Sequence, residues 1–260
     1  MTYQELRKNG EVIASTARIE VLVLDDIAYK LFHKSYSPYQ AYREAMLQCM
    51  AAEAGINVPK IHGVIEVEDR LAILSDYIDG DTVADLMDEF PAKKDKYLTL
   101  LADTQLDLLS HTAQDVRKLT QCTQQDINAL TQLDEVKRYE LTTLLASMPD
   151  HDKLCHGNFG PENVMIDGMD KVFILDWSAA ARGNAGADMA KTYLKLALTS
   201  SEDAEKYIRL LCDKTGYDRQ YIYEWLPLMA ASCLNEKGIS EKEKELLLTW
   251  LDVNGTQANT

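Results

Sequence analysis

The sequence predicts an α+β protein of two parts, a five-stranded antiparallel lobe over residues 1–79 and a mostly helical lobe over residues 80–260. Three observations lead there. The first third is built of short apolar runs, some alternating as strands do, around one helical stretch. After Gly80 apolar residues recur every three or four positions, the period of a helix. A single segment, "KLCHGNFGPENVMIDGMDKVFILDW" from Lys153 to Trp177, interrupts that helical pattern.

Taken in order, "EVIAST" and "IEVLVL" read as strands, Asp25 and Asp26 as a tight turn, and "IAYKLF" as a third strand with Ala28, Lys30 and Phe32 on one face. A helix is expected from about Ser37 to Ala54, closed by Gly55 and followed by Pro59. "KIHGVIEV" and "RLAILSDY" complete the sheet, joined by a turn at Glu68 and Asp69. Beyond Gly80, Leu98, Ala102, Leu106 and Leu109 mark one helix with a buried stripe. A second long helix is expected from about Gln124 to Ala146, and three or four more between Ala187 and Leu251. Within the interrupting segment, "VMI" and "VFIL" flank the turn "DGMD" as a hairpin. The tail "NGTQANT" is expected to fray.

At 260 residues, 46% of them apolar, the chain can bury a sizeable core. Its formal net charge of -15 argues against nucleic acid as a partner, since phosphate recognition needs basic patches. An acidic surface suits cationic substrates or serves solubility alone; composition does not choose between them. Five cysteines, Cys49, Cys122, Cys155, Cys212 and Cys233, are scattered without a CxxC pair and read as reduced core residues. The polar N-terminus and the lack of a long apolar run predict a soluble, cytoplasmic protein without a membrane partner.

The order of parts, with "CHGNFGPEN" and "ILDW" between helices, resembles the aminoglycoside phosphotransferase and choline kinase-like family. That family has a protein-kinase-like fold and a catalytic loop of the form H-G-D-x-x-x-x-N. The resemblance runs from about residue 12 to 200. It implies an ATP- and Mg²⁺-dependent transfer of phosphate to a hydroxyl of a small molecule. Such transfer asks of the protein a lysine for the phosphates, an acid to orient it, and oxygen ligands for the metal.

Residue by residue, the resemblance places Ala28 against the adenine, Lys30 on the α and β phosphates and Glu44 as the partner of Lys30. It makes Asn163, through its amide oxygen, and Asp176, through its carboxylate, the magnesium ligands. Backbone groups of Asp76 and Ile78 would meet the adenine edge, with Gly80 turning the chain out. His156 is architectural, and Asp188 caps a helix or braces the catalytic loop.

Two departures from the family pattern stand out. The phosphate-covering loop "IASTARIEV" lacks the usual glycine, so close approach of its main chain to phosphate is less assured. More important, Asn158 occupies the place of the catalytic aspartate. An amide cannot take a proton at neutral pH, though its oxygen can accept a hydrogen bond from a hydroxyl. Three accounts stay open: a natural pseudokinase, a weak kinase with another base, or an engineered Asp→Asn change. The function is accordingly either a small-molecule phosphotransferase or a silent nucleotide-binding module. Asp107, Asp115, Glu202 and Glu224 are too many acids to single out an acceptor site. The acceptor and the oligomeric state are not legible.

Overall fold

The computed structural model describes residues 2–236 and 238–252. The tail expected to fray lies outside the described residues. Contacts divide the chain into two compact units: Met1–Asp85 with Pro161–Ala179, and Leu86–Gly160 with Ala180–Thr260. Residues 161–179, grouped with the helices in the division at 79/80, thus cluster with the strand-rich unit. The reason is strand pairing, described below.

The first unit opens with a short helix that the sequence reading did not include, α1 (Tyr3–Asn9). Its signal is nonetheless present in the chain. Thr2 accepts from the Glu5 N–H and Glu5 returns a carboxylate to the Thr2 N–H, a reciprocal cap that satisfies two otherwise orphaned donors. Then come β1 (Glu11–Ser15), β2 (Ile19–Leu24), β3 (Ile27–Phe32), α2 (Pro38–Glu53), β4 (Ile61–Val67) and β5 (Arg70–Asp76). The five strands form one antiparallel sheet in the order β1-β2-β3-β5-β4. Asp25 and Asp26 both take positive φ, 51° and 60°, as a two-residue hairpin turn matched to strand twist requires.

Alternation along the strands sends side chains to two different cores. Leu22, Leu31, Val67 and Ala72 pack with Leu6 of α1. Phe32 and Ile73 pack with Ala41 and Ala45 of α2 on the other face. Lys30 lies two residues before Phe32 and therefore shares the face turned to α2.

A second, three-stranded sheet finishes this unit. It orders β6 (Gly80–Thr82), β8 (Val164–Asp167) and β9 (Val172–Ile174), the last two being the expected hairpin. Gly80 is not the turn expected of it. It is a strand residue whose absent side chain allows contact: a Cβ there would lie 2.2 Å from the Ile166 carbonyl oxygen.

Helix α3 (Val83–Glu89) leads into the second unit, which continues with α4 (Lys94–Ser110), α5 (Leu119–Ala129) and α6 (Glu135–Ser147). The single helix expected over 124–146 is two helices. Leu130 is extended and Asp134 caps the next helix through the Lys137 N–H. Arg138 then reaches back to the carbonyls of Ile127, Asn128, Leu130 and Leu133, satisfying acceptors that the break exposes.

A short antiparallel pair, β7 (Lys153–Cys155) with β10 (Ala181–Gly183), precedes five further helices among the described residues. They are α7 (Ala185–Thr199), α8 (Ser201–Thr215), α9 (Arg219–Tyr223), α10 (Leu226–Leu234) and α11 (Glu241–Thr249), one more than the largest expected number. The left-handed Gly216 after α8 and the Asp218 cap of α9 make the extra division. Of the cysteines expected in the core, Cys155 and Cys233 are buried, Cys122 and Cys212 are half-buried and Cys49 is exposed. Among the described residues no helix is long and apolar enough to cross a membrane.

Candidate active site

Of the residues singled out for phosphate and metal chemistry, Lys30, Glu44 and Asp176 come together inside the first unit. Lys30 Nζ lies 2.5 Å from Glu44 Oε1 and 3.0 Å from Asp176 Oδ1. Three elements distant in sequence supply this cluster. Strand β3 aims Lys30 at α2, whose inward stripe carries Glu44 with Ala41, Ala45 and Leu47. Asp176 arrives from the other sheet.

The β8–β9 register explains how. Val164 pairs with Ile174, so Asn163 and Leu175 flank the same end of the hairpin, and the Leu175 N–H donates to the Asn163 carbonyl at 2.8 Å. Asp176 follows at once with φ of 57°, a left-handed conformation that Asp tolerates better than most residues. Ser178 donates to the same Oδ1 at 3.1 Å. Trp177 is fully buried and anchors the turn by donating from Nε1 to the Ile174 carbonyl.

Charge in this cluster is one cation between two carboxylates. Burial pulls the Lys30 ammonium down, but Asp176 and Glu44 outweigh it and hold it above the ordinary lysine range. Glu44, only 4% exposed, is pushed up by burial; Lys30 pulls it down and Asp176 pushes it further up. A buried carboxylate, Glu44, and a half-buried one, Asp176, share this ammonium, and a divalent cation is the kind of charge that a carboxylate so placed can take. Asn163 and Asp176 are hard oxygen donors of the type Mg²⁺ takes, and a two-residue set suits an ion that keeps waters and phosphate oxygens in its shell.

The residues expected around adenine sit on or beside β5 and its neighbour. Ala28 pairs with Val23 and Ser75 and is half-buried. The Asp76 N–H is already bonded to the Lys60 carbonyl at 3.0 Å, so an adenine contact at this residue falls to its carbonyl. Its carboxylate accepts from His62 Nε2 at 2.6 Å. Ile78 follows the strand and is half-buried. In the glycine-free loop, Thr16 Oγ1 accepts the N–H groups of Arg18 and Ile19. A hydroxyl thus closes a turn that a glycine would otherwise ease, and it draws two main-chain donors inward.

The second unit holds the loop carrying Asn158. Gly157 takes φ of 74°, and its N–H donates to Asp188 Oδ1 at 2.7 Å. Asp188 is 1% exposed and braces this loop; the cap of α7 is Asn184, which accepts from the Gly186 N–H. His156 is fully buried, accepts from the Asn158 N–H through Nδ1 at 3.3 Å and meets the Phe159 ring edge-on. Thr192 donates to the Phe159 carbonyl at 3.2 Å. Lys195 Nζ lies 2.8 Å from Asn158 Oδ1 and 3.4 Å from the carbonyl of the same residue.

Sequence reasoning missed Thr192 and Lys195. Their signal was the spacing: Asp188, Thr192 and Lys195 stand four and three residues apart, one stripe of one helix, with polar atoms where an apolar stripe is the rule. Gln105 joins from α4, donating to Asp188 Oδ2 and Thr192 Oγ1 while Tyr207 donates to its carbonyl.

With the residues of each unit described, comparison with known proteins supplies the class. The model of the phosphotransferase enzyme family, APH, matches residues 14–225. The chain belongs to that family, which makes it a phosphotransferase of the small-molecule kinase type. Its fold is shared with solved structures at low identity. An aminoglycoside-3'-phosphotransferase of type VIII has a TM-score of 0.63 at 17% identity, over 95% of this chain and 94% of that one. A thermostable mutant of aminoglycoside phosphotransferase APH(4)-Ia, in ternary complex with AMP-PNP and hygromycin B, has a TM-score of 0.71 at 16% identity, over 96% and 95%. The choline kinase LicA from Streptococcus pneumoniae has a TM-score of 0.63 at 15% identity, over 96% and 93%. No curated protein sequence matches the chain.

Proposed function

We propose that this chain binds Mg-ATP and transfers the γ-phosphoryl group to a hydroxyl of a small molecule in the cytoplasm. The observation that carries the reading is the Lys30–Glu44–Asp176 cluster, at 2.5 and 3.0 Å, in a member of the phosphotransferase enzyme family. In this reading the first unit is the nucleotide half. Lys30 holds the α and β phosphates, Glu44 orients Lys30, Asn163 and Asp176 hold Mg²⁺, and Ala28 with the Asp76 carbonyl and Ile78 meets the adenine. Bound Mg²⁺ would neutralise phosphate charge during transfer. The second unit is the acceptor half, with Asn158 at the loop position that faces the incoming hydroxyl.

One observation favours a second reading, a module that binds Mg-nucleotide without turnover: residue 158 is an amide and has no basic atom. The two readings differ in rate, not in binding. A general base contributes about 10²–10⁴-fold, and a loose phosphoryl-transfer transition state needs little early deprotonation, so slow turnover is compatible with Asn158.

Labelled ATP with a panel of aminoglycosides, choline analogues, sugars and amino alcohols tests this, using the parent and Asn158→Asp. The reading expects slow transfer by the parent and a gain of up to ~10²–10⁴-fold from the substitution, with Mg-ATP affinity little changed. A parent that turns over briskly with no gain would assign the base to another residue. Binding by both forms with transfer by neither would favour the silent module.

A further inference from the structure

Helix α7 grips the loop at three successive residues. Asp188 takes the Gly157 N–H, Thr192 donates to the Phe159 carbonyl, and between them Lys195 holds Asn158 at two points, side-chain oxygen and main-chain oxygen. The first two contacts serve the backbone and would serve any residue at 158. The third is specific to its side chain.

An ammonium has three donors and no acceptor, so the Asn158 atom 2.8 Å from Lys195 Nζ must be the amide oxygen. Chemistry therefore fixes which way the amide is turned. Its oxygen lies on α7 and its nitrogen is carried on the other branch of the planar group. The oxygen that could receive a substrate hydroxyl's hydrogen bond is polarised toward a cation, and the nitrogen offers donors only.

We propose that Lys195 is the positioning residue of loop position 158, holding the side-chain oxygen there against α7 and weakening any carboxylate placed at this position as a proton acceptor. The inference rests on the reading of residue 158 as the acceptor-facing loop position. It also bears on Asn158→Asp. The new carboxylate would share the contact to Lys195, and an opposite charge within ~4 Å favours the ionised form, lowering its proton affinity. Full basicity at 158 then requires a change at 195 as well.

Two measurements test this without reference to turnover. In protein labelled with ¹⁵N in asparagine side chains, the Asn158 NH₂ pair is identified by its loss in Asn158→Asp. Lys195→Met, which keeps the apolar stem, should shift that pair and speed its solvent exchange. In Asn158→Asp labelled with ¹³C at aspartate carboxyls, adding Lys195→Met should raise the midpoint of the new carboxyl by about one pH unit or more. Lys195→Gln substitutes for Lys195→Met if the latter does not fold. An unmoved NH₂ pair or an unmoved midpoint overturns the proposal. Transfer to no acceptor by any variant would overturn the proposed function and leave both of these results standing, so the two failures are distinguishable.

Discussion

Lys30 shows how much one residue can carry. A lysine within a strand is ordinarily a solvated edge residue; here two carboxylates and a buried helix face surround its ammonium. Replacing it by methionine leaves Glu44 buried without its cation, which typically costs about 3–5 kcal/mol. The sign of the pH dependence follows from the upward shift of Glu44. A carboxyl raised in the folded state favours folding most below its unfolded value, and that contribution is lost as pH rises through the folded value. Lys30→Met should therefore destabilise strongly at neutral pH and less in acid, where Glu44 is protonated. Urea melts of parent and variant across that range check it; a loss equally large in acid would mean the Lys30–Glu44 contact is not the stabilising one. At this scale the Lys30–Glu44 contact was legible, because the order of the motifs pairs a strand lysine with a helix acid. At Lys195 the polar stripe of α7 marks the residue but not its partner, which stands 37 positions away.

The hairpin of β8 and β9 shows the same limit among elements. Its turn and apolar runs were legible, since Asp167, Gly168 and Asp170 punctuate them, and so were the five strands and α2. What the sequence did not disclose was the third strand, β6, because three residues with no alternation carry no strand signal. Gly80→Ala tests that pairing. Its new Cβ would meet backbone, not a yielding side chain, so a cost of about 1–3 kcal/mol and lost exchange protection across 80–82 and 165–167 are expected. An Ala variant as stable as the parent would show that the sheet can part there without penalty. The break between α5 and α6 was hidden for a related reason: Leu130 and Leu133 continue the helical period across it. Arg138 secures the break through four carbonyls, and Arg138→Ala should cost about 1.5–3 kcal/mol in a thermal melt, as charged donors do when removed. A variant that melts with the parent would assign the break to the Asp134 cap alone.

Across the whole molecule, residues distant in the chain complete each unit. The first unit lacks β8, β9, Trp177 and Asp176 until residue 179 is made, although its sheet is finished by residue 76. A fragment ending at residue 85 should consequently fail to give a cooperative melt, and adding residues 161–179 in trans should improve it; a sharp melt from the fragment alone would show that the second sheet is dispensable. The proposed function has the same dependence, because Asp176 is the group through which the hairpin meets Lys30 at 3.0 Å. The net charge of -15 does not favour an anionic ligand at long range, so the nucleotide affinity proposed above would have to come from this local set. Calorimetric titration of Mg-ATP into the parent and into Asp176→Ala, with and without Mg²⁺, tests that most directly. The account predicts binding by the parent that depends on Mg²⁺ and falls at least about tenfold in Asp176→Ala, the loss of one metal-ligand interaction of about 1.4 kcal/mol or more. Binding absent from the parent, or indifferent both to the metal and to the loss of Asp176, would contradict it.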